Sequence, residues 1–198
     1  MSNKRKSMNV AILGLFAAVT IVLQVLSYAI KIGTFNLSLV LIPIVLAAGL
    51  YGPKYGAILG AVFGAVVTLA SALGFDAGGH VLFQSAPVMT SLVCMVKGTV
   101  AGFLAGVVSA PLMKKRFVYL AVIVAAVVTP IINTGLFVLA MFLFFRDTLI
   151  VWAGGADVVY YVIVGLVGIN FLIELAINIV LSPAVLRVTN ALQRYIKK

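Results

Sequence analysis

Long apolar runs, separated by short polar segments, make up most of the chain. They cover about residues 9–30, 37–50, 55–73, 90–111, 117–145 and 158–187. A helix needs about 20 apolar residues to cross the hydrocarbon layer of a bilayer, so the pattern predicts six transmembrane helices. The second is short, whereas the fifth and sixth are long enough for tilt or a break. Pro130 predicts a kink in the fifth, because proline removes one helix hydrogen bond.

The second and third runs read as one hairpin, interrupted only at Tyr51-Gly52-Pro53-Lys54-Tyr55. Beyond this turn, glycine recurs at every fourth position, as Gly56, Gly60 and Gly64. Glycine at this spacing leaves a smooth stripe on one helix face, which lets another membrane helix approach closely. The segment therefore predicts a membrane hairpin with a surface made for close helix contact.

Composition supports this assignment. Of the 198 residues, 64% are hydrophobic and 9% are charged, whereas soluble chains carry about 25% charged residues. We therefore predict an all-α integral membrane protein, a compact six-helix bundle that forms a single domain over residues 1–198. We expect the run 9–30 to be a retained span, because it is long for a secretory leader and Ser27-Tyr28-Ala29 is a poor cleavage site.

Charge predicts the orientation of the spans. Eleven cations and no carboxylate fall at the two termini and in the turns 52–54 and 112–116, against two cations and three acids on the opposite side. Lysine and arginine accumulate on the cytoplasmic side of membrane proteins, so both termini are predicted to be cytoplasmic in a multi-pass protein of the cell membrane. These scattered cations indicate topology and contact with lipid bilayer head groups, and they do not indicate a nucleic-acid partner.

Several polar side chains lie inside the predicted spans. Lys97 is in the fourth run, Asn133 in the fifth, and Asn170, Glu174 and Asn178 recur every four residues on one face of the sixth. A charge facing lipid is costly, so Lys97 and Glu174 are expected to face the interior. Two interpretations stay open. In the first, Lys97 and Glu174 pair and hold helices together. In the second, part of this set lines an outward cavity that binds a small polar solute.

Two outer connections, Gly74–Pro87 and Arg146–Asp157, are longer than simple turns. Long loops in compact domains are often functional, so we expect both to form a lid over the solute. The candidate lid residues are Asp76, His80, Phe83, Gln84 and Trp152. Trp152 has an alternative role as an interfacial anchor.

Small residues also mark the first run, where Ala11, Gly14 and Ala18 share one side. Together with the stripe at Gly56, Gly60 and Gly64, they offer more close-contact surface than six short helices need. We therefore expect these positions to dock a partner subunit in the membrane.

Catalytic motifs are absent from the sequence, which contains no GxSxG, no HExxH and no GxxxxGK[ST]. The chain is therefore predicted to be no enzyme, to hold no metal, and to hydrolyse no ATP itself. A binding or transport role remains. One alternative is a stand-alone secondary transporter or channel with Glu174 as its ion site, although no inverted repeat is visible.

Three segments carry a family resemblance: IPIVLAAGLYGPKYGAILGAVFG, APVMTSLVCMVKGTVAGFLAGVV and TPIINTGLFVLAMFLF. They resemble the substrate-binding S components of energy-coupling factor (ECF) vitamin transporters, most closely the pantothenate-type branch, over nearly the whole chain. The resemblance implies a subunit that captures a vitamin outside the cell and needs no cofactor of its own. It also implies partners, namely a coupling membrane subunit and two ATPases that use ATP.

The resemblance further assigns roles to residues. It implies that the first helix docks on the coupling subunit through Ala11, Gly14 and Ala18. It also implies that the outer ends of the last three helices and the outer loops form the solute pocket. The residues that this assignment places at or near the pocket are Gln84, Asn133, Trp152 and Asn170.

Overall fold

The computed structural model describes residues 2–29, 31–32, 35–36, 40–115 and 117–196, which are almost entirely helical. The long helices are α1 (Ser2–Ser27), α3 (Pro53–Leu73), α5 (Pro87–Lys114), α6 (Val118–Phe144) and α9 (Ile169–Ile196). The shorter ones are α2 (Leu41–Tyr51), α4 (Ala77–Ser85), α7 (Arg146–Ala153) and α8 (Val158–Tyr160), and α8 continues through a π-helix (Tyr161–Gly168) into α9. After α1, strands β1 (Lys31–Ile32) and β2 (Phe35–Asn36) form an antiparallel pair.

Five helical segments within the described residues are long and apolar enough to cross a membrane. They are Val10–Ser27, Pro53–Leu73, Pro87–Lys114, Val118–Phe144 and Val158–Leu181. This confirms the prediction of an all-helical membrane protein, with five such segments in the described residues where the sequence predicts six spans. The boundaries differ from the prediction at helix ends: α5 continues past Pro111 to Lys114. Pro111 lies in the last turn, where the loss of one hydrogen bond does not end the helix.

The predicted second span, 37–50, corresponds to α2, and its positions 37–39 lie outside the described residues. With 11 residues and a rise of about 1.5 Å per residue, α2 is roughly half as long as the hydrocarbon layer is thick. Residues 43–49 are all buried, and α2 packs against α3, α5, α6 and α9. A helix that is apolar on every side suits this central position.

The turn between α2 and α3 confirms the predicted hairpin. Gly52 alone joins the two helices, and its φ of +94° lies in a region that other residues rarely adopt. Pro53 begins α3, where its fixed φ suits the first turn of a helix and its missing N–H costs no hydrogen bond.

The glycine stripe of α3 packs against α5 of the same chain. A Cβ atom added at Gly56, Gly60 or Gly64 would overlap the backbone of α5, so the predicted close helix contact is confirmed. The expectation that these three glycines dock a partner subunit is corrected, because all three are buried in the contact between α3 and α5. Their spacing serves internal packing.

Both predicted outer loops contain helices, which corrects the loop assignment. Gly74–Pro87 contains α4, and Arg146–Asp157 contains α7. The reason is tertiary packing: Leu82 of α4 and Leu149 of α7 are buried in one apolar cluster. This outer cluster is completed by Val93, Ala140, Met141, Phe145, Val162 and Leu166. A second cluster, the central cluster, surrounds α2 and includes Phe16, Ile44, Leu59, Phe63 and Val67.

Candidate functional site

A cavity lies where the central and outer clusters meet. Phe63 and Val67 of the central cluster and Leu82, Phe145 and Leu166 of the outer cluster all border it. Its volume is about 90 Å³, measured as the space open to the centres of water molecules. This is room for several waters or a small organic molecule. Apolar walls with a few polar groups are typical of small-molecule sites.

The residues of the wall come from the middle and from one end of the long helices. Gln24 belongs to the C-terminal end of α1, Thr90 to the N-terminal part of α5, and Asn170 to the first turn of α9. The exposed cations Lys54, Lys114, Lys115 and Arg187 lie at the opposite helix ends. Under the positive-inside rule, this distribution predicts that the cavity lies in the outer half of the bundle.

Four of the five polar residues singled out inside the predicted spans meet in this cavity: Lys97 from α5, Asn133 from α6, and Asn170 and Glu174 from α9. Asn170 and Glu174 are one helical turn apart and therefore share one face. Asn178 lies a further turn along, where it is buried and its Nδ2 donates a hydrogen bond of 2.7 Å to the Glu174 carbonyl oxygen. The polar stripe of the sixth run thus faces the protein interior.

Some polar atoms in residues of the wall have no hydrogen-bond partner among the described residues. Oδ1 of Asn133 and Oγ1 of Thr90 are two of them, and both atoms are buried. Buried polar groups are nearly always hydrogen-bonded, since an unmade bond costs about 1–3 kcal/mol. Such groups are suited to a polar solute that supplies the missing partners.

Lys97 gives the cavity its cation. Its Nζ lies 5.0 Å from the centroid of the Phe137 ring, within the range of a cation–π contact, and Phe137 also borders the cavity. Asp76 and Glu174 contribute carboxylates to the same wall. The site therefore combines a cation, two acids and neutral hydrogen-bonding groups with aromatic rings, an arrangement suited to a small amphipathic solute.

Of the five predicted lid residues, Asp76 borders the cavity, whereas the other four, His80, Phe83, Gln84 and Trp152, lie outside its wall. His80 and Gln84, both on α4, are hydrogen-bonded to each other, with 2.9 Å between Nε2 of Gln84 and Nε2 of His80. Trp152, on α7, packs against the outer cluster. Their helices nevertheless lie near the cavity, since Gly79 and Leu82 of α4 border it directly.

Several polar residues of the wall are not singled out as solute contacts by the sequence, among them Gln24, Tyr28 and Thr90. Their spacing along the sequence does indicate shared helix faces. Gln24 and Tyr28 are four residues apart at the end of the first run, and Thr90 precedes Lys97 by seven residues, or two helical turns. Only the relative placement of α1, α5 and α9 shows that these faces converge.

The predicted docking residues of α1 lie on the side of the helix that faces away from the bundle. Ala11, Gly14 and Ala18 are all exposed, and a Cβ added at Gly14 would meet no atom within 4 Å. The neighbouring Val10, Leu15 and Val22 are likewise exposed by 56–68%. This side of α1 is therefore open to lipid or to another subunit.

Comparison with known families connects this arrangement to a transport system. The family of ECF transporter substrate-specific components matches the chain over residues 8–186. No curated protein sequence matches the chain. The matched region includes every residue of the cavity wall, from Gln24 to Glu174. The chain therefore belongs to the substrate-specific components of ECF transporters, a family of membrane transport proteins and not of enzymes.

Proposed function

We propose that this chain captures a small vitamin carrying a carboxylate, with pantothenate favoured, for an ECF-type importer. The observation that carries the proposal is the cavity, in which Lys97 lies among amide and hydroxyl groups and aromatic rings. The unpaired Oδ1 of Asn133 and Oγ1 of Thr90 add sites that need partners. Pantothenate presents a carboxylate, an amide and two hydroxyl groups on a short aliphatic frame, which matches this set.

Each group of the solute then has a counterpart in the wall. The Lys97 ammonium binds the carboxylate, and a charged hydrogen bond of this kind is worth more than a neutral one. Asn133, Asn170 and Gln24 exchange hydrogen bonds with the hydroxyl and amide groups. The Phe137 and Phe171 rings pack against the aliphatic frame and exclude water.

In this proposal the energy for uptake comes from partners, namely a coupling membrane subunit and two ATPases. The sequence holds no phosphate-binding GxxxxGK[ST] motif of its own. The exposed small-residue side of α1, at Ala11, Gly14 and Ala18, serves as the docking face for the coupling subunit, because small residues let membrane helices approach closely. ATP hydrolysis by the partners then drives release of the solute inward.

The substrate is tested with the purified chain in detergent or lipid nanodiscs. Thermal unfolding and titration calorimetry are carried out with pantothenate, folate, riboflavin and cobalamin in parallel. A ligand at one hundred times its dissociation constant stabilises the folded state by about 2.7 kcal/mol, so the true substrate raises the melting temperature distinctly. We expect pantothenate to do so. A response to another vitamin alone would change the substrate, and no response to any would contradict vitamin capture.

The energy source is tested by co-purification and by uptake into liposomes. An S component is expected to bring down a coupling subunit and ATPases from native membranes, and to accumulate solute only in their presence with ATP. Accumulation by the isolated chain, driven by an ion gradient, would identify the alternative, a stand-alone secondary transporter.

A further inference from the structure

Helix α4 contributes to the wall of the cavity, and one of its side chains that is not part of the wall is hydrogen-bonded to α3. Gly79 and Leu82 of α4 border the cavity, as does Ser71 in the last turn of α3. His80 lies between Gly79 and Leu82 in sequence but is not in the wall. Its ring instead reaches the backbone of α3.

The first contact joins His80 to the end of α3. Nδ1 of His80 lies 2.8 Å from the Ser71 carbonyl oxygen. A carbonyl oxygen can only accept a hydrogen bond, so Nδ1 carries the proton and donates it. The last carbonyls of a helix lack partners within that helix, and His80 supplies one for Ser71.

The second contact holds the other ring nitrogen. With the proton on Nδ1, the neutral ring has a lone pair on Nε2, and Nε2 of Gln84 donates to it over 2.9 Å. Gln84 is one turn further along α4, on the same face. The two bonds together determine both the tautomer and the orientation of the ring.

Close backbone approach accompanies these bonds. A Cβ added at Gly79 would overlap Oγ of Ser71 and crowd the Asp76 carboxylate. Ser71 is fully buried, and its Oγ donates to the Val67 carbonyl oxygen over 2.9 Å, so it cannot move aside freely. The junction of α3 and α4, with His80 on its outer side and the cavity on its inner side, is therefore tightly packed.

We propose that His80 is a positioning residue that holds α4 closed against α3 over the cavity and thereby slows solute escape, without contacting the solute. The effect on the solute rests on the proposed function, whereas the effect on α4 does not. This division allows the two to be tested separately.

The first test uses the solute-free protein. Amide hydrogen exchange is measured over residues 74–86 in wild type, His80→Leu and His80→Asn. Leucine removes both hydrogen bonds, and exchange is expected to accelerate about 3- to 10-fold, the range for one or two ordinary hydrogen bonds. Asparagine places an amide N–H near the position of Nδ1 and is expected to restore most of the protection. Val81→Ala, on the exposed side of α4, is the matched control and should match wild type.

The second test measures solute dissociation with the vitamin identified by the thermal screen. His80→Leu is expected to raise the dissociation rate by about 3- to 10-fold, with His80→Asn close to wild type and Gln84→Leu between them. Unchanged exchange in His80→Leu overturns the proposal. So does a loss of affinity without faster exchange, because that result indicates direct contact with the solute. If no vitamin binds the wild type, the proposed function fails while the exchange result still decides the role of His80.

Discussion

Gly60 on α3 and Gly98 on α5 face each other backbone to backbone, and a methyl group on either residue would overlap the carbonyl oxygen of the other. The same relationship holds between Gly56 and Gly102. These pairs bring α3 and α5 to a separation that larger residues do not allow. Both helices also contribute residues to the cavity wall, including Phe63 and Lys97, so their close contact helps to position that wall.

The first prediction concerns this contact. Gly60→Ala should lower the free energy of unfolding by about 1–3 kcal/mol, the usual cost of overpacking a well-filled interior. Thermal unfolding in detergent measures it. Gly135→Ala on α6 is the control, because a Cβ there meets no atom within 4 Å, and alanine favours helix more than glycine does. Equal melting temperatures for Gly60→Ala and wild type would contradict the close contact.

The second prediction concerns the unpaired amide in the cavity. Asn133→Ala should weaken solute binding about 2- to 10-fold, the worth of one ordinary hydrogen bond, as measured by titration calorimetry. Asn178→Ala is the control. Asn178 lies outside the cavity wall, and its buried amide donates a hydrogen bond to the Glu174 carbonyl oxygen. Its removal should therefore lower the stability of the protein more than its affinity for the solute. Equal affinity losses for both variants would argue that the amides act only through helix packing.

The third prediction concerns charge. Lys97→Met keeps the length of the side chain but removes the ammonium, and it should weaken binding of a carboxylate solute by about 10-fold or more, since hydrogen bonds to charged groups are worth about 1.5–3 kcal/mol. Lys97→Arg should retain much of the affinity. The neutral alcohol analogue of pantothenate completes a double-mutant cycle. If Lys97→Met weakens acid and alcohol equally, Lys97 does not bind the carboxylate.

The fourth prediction concerns the outer side of α1. Gly14→Leu should abolish ATP-driven uptake while leaving solute binding intact, because it fills the smooth surface without touching the cavity. Uptake is measured in liposomes that contain the coupling subunit and the ATPases. Gly135→Leu, also at an open surface position, should leave uptake unchanged. Loss of binding in parallel with uptake in Gly14→Leu would count against a docking role.

Much of the fold can be predicted from the sequence because the relevant properties are local. The length of an apolar run decides whether a helix can cross a bilayer, and five such helices are present in the described residues. The turn at Gly52 and Pro53 is likewise a local matter of backbone freedom. The spacing of Asn170 and Glu174 places both on one helix face, which the structure directs into the cavity.

Other features depend on which helices are neighbours, and only the tertiary structure decides them. A glycine stripe is equally suited to a partner subunit or to the same chain, and it is α5 that occupies the stripe of α3. The segments around His80 and Trp152 resemble loops in composition, yet burial of Leu82 and Leu149 in a shared cluster makes them helical. The sequence by itself determined a membrane protein with an inward-facing polar stripe, because hydropathy and helical periodicity act over one segment at a time. Only the tertiary structure decided that this stripe meets Gln24 and Thr90 in one cavity, because such a meeting requires contacts between distant segments.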